Sequence, residues 1–244
     1  MPKKGAPMFG NAGADHNQSN HITNCPRDGA YNHHAYIRIW HWANALCIVV
    51  LVITGYFIGS PLPSTTGEPA ELYLMGYIRF AHFSASYLFA IGMIFRFVWA
   101  FLGNRMAREL FYVPVWSSRW SRGFVGHLRW LMFLDRREPP CDGYNAVARV
   151  ALFVLFLLPS LFMIVTGFAM YSEATGRDSW EHHAFGWIVE FWRNTQDIHT
   201  LHRLGMWAMA IFVIIHVYMI IRDDIMSRRT VVSAMISGER FYRD

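Results

Sequence analysis

Apolar residues gather into four long runs along the chain, at roughly 37–58, 77–102, 147–170 and 199–221, with polar segments between them. Each run reaches the length of about 20 residues that an α-helix needs to cross the hydrocarbon core of a bilayer. Trp40, Trp42, Tyr56, Trp99 and Tyr171 lie near the ends of these runs. Rings with an apolar body and a polar tip favour that level of a membrane. The pattern predicts an all-α integral membrane protein: a four-helix transmembrane bundle over residues 37–225, preceded by a segment over 1–36 and followed by a tail over 226–244.

Two shorter apolar runs do not fit as spans. "FVGHLRWLMFL" (124–134) is flanked by arginines and is read as an interfacial helix. "AFGWIVEFW" (184–192) lies between the third and fourth spans, where an apolar and aromatic patch is either an interfacial element or a docking surface.

Charge sets the expected direction of insertion. Lys3, Lys4 and Arg27 precede the first span and Arg38 lies at its very start; Arg105, Arg108, Arg119, Arg122, Arg129, Arg136 and Arg137 lie between the second and third; Arg222, Arg228, Arg229, Arg240 and Arg243 follow the fourth. The 59–76 connection carries Glu68 and Glu71 without a cation, and the 172–198 connection carries more acids than bases. Positive residues stay on the cytoplasmic side, so both termini are expected there. The N-terminal 20 residues lack the apolar core of a signal peptide, so the first span is expected to direct insertion.

Composition agrees: 54% of residues are hydrophobic, 16% aromatic and 16% charged. The mean hydropathy of +0.20 is modest because the connections are long and polar. Cys25, Cys47 and Cys141 are far apart and form no C-x-x-C, which argues against iron–sulfur ligation and covalent haem attachment. No nucleic-acid partner is expected.

The chemistry lies in histidines inside the apolar runs. His202 and His216 are fourteen residues apart, nearly four turns, which puts them on one face and about 21 Å apart along the axis. His41 opens the first span and His82 lies near the start of the second, which runs the opposite way. Depth therefore pairs His41 with His216 on the cytoplasmic side and His82 with His202 on the outer side. Two imidazoles facing each other across a bundle can clamp one flat cofactor, and haem iron accepts axial histidine. Two pairs imply two haem sites stacked across the membrane.

Cations accompany them. Arg38 precedes His41 by three residues and Arg79 precedes His82 by three, one face in each case. Arg96 follows His82 by fourteen, and Arg203 adjoins His202. These four are the candidates for holding haem propionates. Gly55 and Gly167 each follow a threonine, in "VITGYF" and "IVTGFA", where glycine lets a macrocycle or a neighbouring helix approach the backbone. Pro159 is expected to kink the third span.

"RIWHWANALCIVVLVITG" and "HRLGMWAMAIFVIIH" resemble the two signatures of the cytochrome b subunit of membrane-bound uptake nickel–iron hydrogenases. The likeness extends over most of residues 30–225; Ala43 departs from the branched apolar residue expected after His-Trp. The resemblance implies His41, His82, His202 and His216 as the ligands of two haems b, held without covalent attachment. It also implies a bacterial inner-membrane location, an electron donor in the iron–sulfur small subunit of a periplasmic hydrogenase, attached to its large nickel–iron subunit, and quinone as acceptor. By analogy with the related formate dehydrogenase subunit, quinone is expected near the cytoplasmic haem, with His34, Tyr36, Arg96 and His127 as polar candidates. The rival expectations are a formate dehydrogenase or b561-type cytochrome, a passive anchor, and a histidine-lined metal transporter using His182, His183 and His199. The scarcity of intramembrane carboxylates weighs against the transporter.

Overall fold

A computed structural model of the chain describes residues 30–31, 35–63, 73–103, 108, 111, 113, 116–135, 146–192, 194–226, 232, 235–236 and 239–240. Four helices in it are long and apolar enough to cross a membrane: α1 (Ala35–Gly59), α2 (Leu74–Leu102), α4 (Ala146–Thr175) and α6 (Thr195–Met226). A helix is what such sequences must form in lipid, where every backbone N–H and C=O has to be paired within the segment. Each helix runs past its apolar run by a few residues. At 32 residues, α6 is about 48 Å long, more than the roughly 30 Å of hydrocarbon, so its polar ends Gln196, Asp197, Asp223 and Asp224 fall beyond the apolar zone.

The two short runs are helices too. Helix α3 (Ser118–Leu131) begins where the Ser117 hydroxyl accepts from the Trp120 amide at 3.4 Å. It ends with Phe133 at a φ of 59°. There the Leu134 amide reaches back to the Arg129 carbonyl at 2.9 Å and the Phe133 amide to the Trp130 carbonyl at 3.1 Å. This is the paired closure that a left-handed residue permits, at a cost usually avoided by glycine. Helix α5 (Trp180–Trp192) lies between α4 and α6 in sequence and packs on both.

Helix α1 lies along α2, and α4 lies along α6. Between them the core is apolar: Ile48, Phe89, Met93, Phe156, Leu157, Met209 and Phe212. Ala169, Ile188 and Ile198 form a second cluster beneath α5. The outer faces of the spans carry large exposed apolar side chains such as Leu46, Ile53, Leu88, Ile94, Leu161, Ile211 and Ile214, as a lipid-facing surface requires.

Pro159 disturbs α4 in a particular way. The segment Leu152–Leu157 just before it is a π-helix. Proline lacks the N–H that the Leu155 carbonyl would accept, and its ring crowds that carbonyl, so the preceding turn widens.

One end of the bundle gathers the start of α1, helix α3, the end of α6 and the tail. Arg38 donates through Nη1 to the Ile236 carbonyl, and the Trp42 indole donates to the Met235 carbonyl at 3.1 Å. A two-residue antiparallel ladder, Ala30–Tyr31 with Glu239–Arg240, joins the two terminal segments at this end. Arg222, nearly buried, donates to the Trp130 and Leu131 carbonyls at 3.4 Å and lies over the rings of Trp130 (4.6 Å) and Phe133 (4.7 Å). That contact holds α3, and its strained Phe133, against α6. The opposite end carries α5.

Candidate functional site

His41 and His216 come from the first and last spans, and their ring centroids lie 6.3 Å apart with planes inclined at 47°. Trp42 meets His41 edge-on at 5.2 Å. Phe212, one turn before His216, stacks on it at 5.4 Å, and Phe156 from the π-helical turn lies 5.5 Å from Phe212. The widened turn thus delivers an aromatic wall beside this pair of imidazoles.

The spacing can be tested against an axially ligated metal. Imidazole bonds to a first-row metal such as zinc are about 2.0–2.1 Å, so two rings on opposite sides of one ion would have centroids about 6.4 Å apart. The separation of His41 and His216 fits one iron between them, and these two residues could hold a haem in this way.

His82 and His202 form the second group, nearly four turns away along α6. Each meets a threonine–glycine pair on another helix. The Thr54 Oγ1 of α1 is 2.9 Å from His82 Nδ1, and the Thr166 Oγ1 of α4 is 2.8 Å from His202 Nδ1. The glycines provide clearance: a Cβ on Gly55 would lie 3.3 Å from His82 Cε1 and 3.4 Å from Met206 Sδ, and one on Gly167 would lie 3.3 Å from His202 Cε1. The two 3.3 Å approaches to imidazole are tighter than side chains normally accept, so each glycine leaves the room that one imidazole occupies. Met206 and Gly205 are buried on α6 next to His202. Four helices therefore contribute to this end, while Ile48, Phe89, Met93 and Met209 fill the space towards the other pair.

The arginines are placed variously. Arg96 is 4% exposed, deep in α2, with its guanidinium 5.6 Å from the ring centres of both Trp40 and Phe111. Trp40 in turn donates to the Gly92 carbonyl at 2.6 Å. Arg203 is exposed and reaches across to α1, donating to the Gly59 carbonyl at 3.2 Å and the Ser60 hydroxyl at 2.8 Å. Arg38 is turned to the tail, and Arg79 lies exposed in the second turn of α2.

Tyr36 packs edge-on against Trp99 at 4.1 Å. His127 is buried in α3, its Nδ1 2.8 Å from the Gly123 carbonyl. His34 lies outside the described residues, as do Lys3, Lys4, Arg27, Glu68 and Glu71. His182 packs on Gly186, and among the described residues no three His, Cys, Asp or Glu side chains converge as a metal site.

Three contacts have partners that the sequence does not reveal. For Thr54 and Thr166, a threonine directly before a glycine in each of two spans is the only sequence signal, and their imidazole partners lie on other helices. Glu181 of α5 accepts from the Tyr87 hydroxyl of α2 at 2.8 Å. Its carboxyl is covered locally rather than by depth in the protein; burial raises its pKa, but hydrogen bonds from its own amide, Tyr87 and Ser179 outweigh that and hold it below the usual carboxylate range.

A membrane bundle that turns imidazoles inward at two levels belongs to the class of integral membrane proteins able to hold axially ligated flat cofactors. A family model for prokaryotic cytochrome b561 matches residues 32–238. The chain is 51% identical over 218 residues to the probable Ni/Fe-hydrogenase B-type cytochrome subunit of Rhizobium leguminosarum bv. viciae, covering 89% of this chain and 91% of that one. It is 51% identical over 214 residues to the subunit so described from Cupriavidus necator, covering 88% of each. With the probable Ni/Fe-hydrogenase 1 B-type cytochrome subunit of Escherichia coli K12 it shares 48% over 223 residues, 88% of this chain and 94% of that one. The chain belongs to the prokaryotic cytochrome b561 family: it is a membrane cytochrome of the b type, whose cofactor is haem b.

Proposed function

We propose that this chain is the di-haem membrane subunit of a nickel–iron hydrogenase, which accepts electrons from the iron–sulfur small subunit of a periplasmic enzyme and delivers them to quinone. The observation that carries the reading is the pairing of His41 with His216 at a spacing suited to one iron, fourteen residues along α6 from His202. The relatives' names support the hydrogenase partner.

His41 and His216 would hold one haem, and His82 and His202 the other. Haem b supplies reversible one-electron chemistry, while the protein supplies ligation, orientation and tuning. Each haem would be held by one imidazole from each of two helices, and the apolar residues between the two levels would separate the sites. Helix α5, with Trp180, Trp187, Phe191 and Trp192 exposed, forms part of the face towards the electron donor. The arginine-rich end, with α3 and both termini, faces the cytoplasm by the positive-inside rule. Quinone is reduced at that end, and the membrane is the bacterial inner membrane.

The test is hydrogen-driven reduction of the b-type absorption in membranes holding this chain and its hydrogenase. Reduction by hydrogen that disappears on substitution of His202 is expected. A haem reduced by dithionite but never by hydrogen, while the hydrogenase stays active and attached, would contradict the reading.

A further inference from the structure

The hydroxyls of Thr54 and Thr166 have one proton each and two lone pairs. Thr54 Oγ1 lies 2.6 Å from the Val50 carbonyl oxygen, and Thr166 Oγ1 lies 2.8 Å from that of Phe162. Two oxygens that close need a proton between them, and a carbonyl has none, so each threonine donates to the carbonyl one turn back. The alternative carbonyls, Leu51 and Met163, lie at 3.4 Å and leave the direction unchanged. Having given up its proton, each hydroxyl can only accept from the imidazole facing it, at 2.9 Å for His82 and 2.8 Å for His202.

The proton of each neutral ring is thereby fixed on Nδ1, which leaves the Nε2 lone pair as the metal-binding position. Two further facts bear on this. Both threonines are buried, at 9% and 4% exposure, so no water competes for the lone pair. Their β-branched side chains are stiff, which holds the acceptor in place. The glycine that follows each one leaves room for the same ring's Cε1. The threonine–glycine pair is thus a two-residue device used twice: α1 orients the ligand on α2, and α4 orients the ligand on α6.

We propose that Thr54 and Thr166 are positioning residues for the outer haem, which fix the tautomer and raise the basicity of its two axial imidazoles through Nδ1–H···Oγ1 bonds and so lower its potential. This rests on the reading of His82 and His202 as haem ligands. A hydrogen-bonded imidazole donates more electron density to the metal, and partners of this kind tune ligation strongly. Greater donation favours ferric over ferrous iron.

The experiment is a redox titration, followed by optical and low-temperature EPR spectra, of membranes containing the full chain, with Thr54→Val, Thr166→Val, the double variant, and Thr54→Ser and Thr166→Ser. Valine keeps the shape and removes the acceptor; serine keeps the acceptor. Each Val variant is expected to raise the ferrous-to-ferric ratio of one haem at fixed potential up to about tenfold, an upward shift of up to about 59 mV for a one-electron couple. The other haem should be unmoved, the double variant should shift further, and the Ser variants should match the parent. Unchanged potentials in both Val variants with haem in place overturn the proposal, as does a Ser shift equal to the Val shift. If a Val variant holds no outer haem, retention at the parent potential in the matching Ser variant supports it and loss there too overturns it. A parent chain with no b-type signal sinks the ligand reading itself, a result distinguishable from all of these.

Discussion

His41 and His216, at opposite ends of the apolar sequence, face each other with ring centroids 6.3 Å apart. The approach joins the first span to the last, and Phe212, stacked on His216, backs it on one side with Phe156 behind. If these rings share one iron, His216→Ala removes one axial bond from the inner haem and none from the outer. Half of the b-type haem should be lost, and the remaining half should titrate at the parent's outer potential. Redox titration of membranes checks this.

The glycines give a steric prediction. Gly55 faces both His82 and Met206 within 3.4 Å of a would-be Cβ, so Gly55→Leu must displace one of them. If His82 and His202 hold a second haem, that haem should be lost or shifted while the one at His41 and His216 stays, read from the same titration. Gly167→Leu should act likewise through His202.

How much of this was legible in the sequence differs by kind of feature. The four spans were, because apolar length alone decides what crosses a bilayer. Their ends were not, since Gln196, Asp197, Asp223 and Asp224 keep helical hydrogen bonds once past the apolar zone. The offset between His202 and His216 was readable, because helical periodicity converts a count into a face and a depth. Pro159 announces a disturbance but not its form, since the missing N–H can end, kink or widen the preceding turn, and here it is the π-helix Leu152–Leu157. Thr54 and Thr166 needed three dimensions, because their partners lie on other helices. The same holds for Arg38, whose partner Ile236 is in the tail.

Arg203 separates two roles. Its guanidinium joins the end of α1 to α6 through Gly59 and Ser60. As an exposed staple it contributes about 1 kcal/mol, so Arg203→Ala should lower thermal stability slightly and leave the content and potentials of both haems at parent values. A large shift of the outer haem potential would assign it to a propionate instead. Thermal unfolding and redox titration on one sample decide.

Glu181 predicts a pH dependence. Its carboxyl is held below the usual range when α5 is docked on Tyr87. A depressed carboxylate contributes stability that is fully present above the ordinary carboxylate pKa and is lost as pH falls through the folded value. Helix α5 should therefore stay protected at neutral pH and loosen only in acid, below the ordinary range. Hydrogen exchange of residues 180–192 against pH reads this, and Glu181→Gln should remove that acid-dependent component.

Whether four histidines hold two haems in this one chain is decided by the haem-to-chain ratio of the intact membrane complex, measured for the parent and for His41→Ala and His202→Ala. Two haems b per chain are predicted for the parent and one for each variant, with different potentials surviving in the two. A parent ratio of two that neither substitution lowers would contradict the assignment.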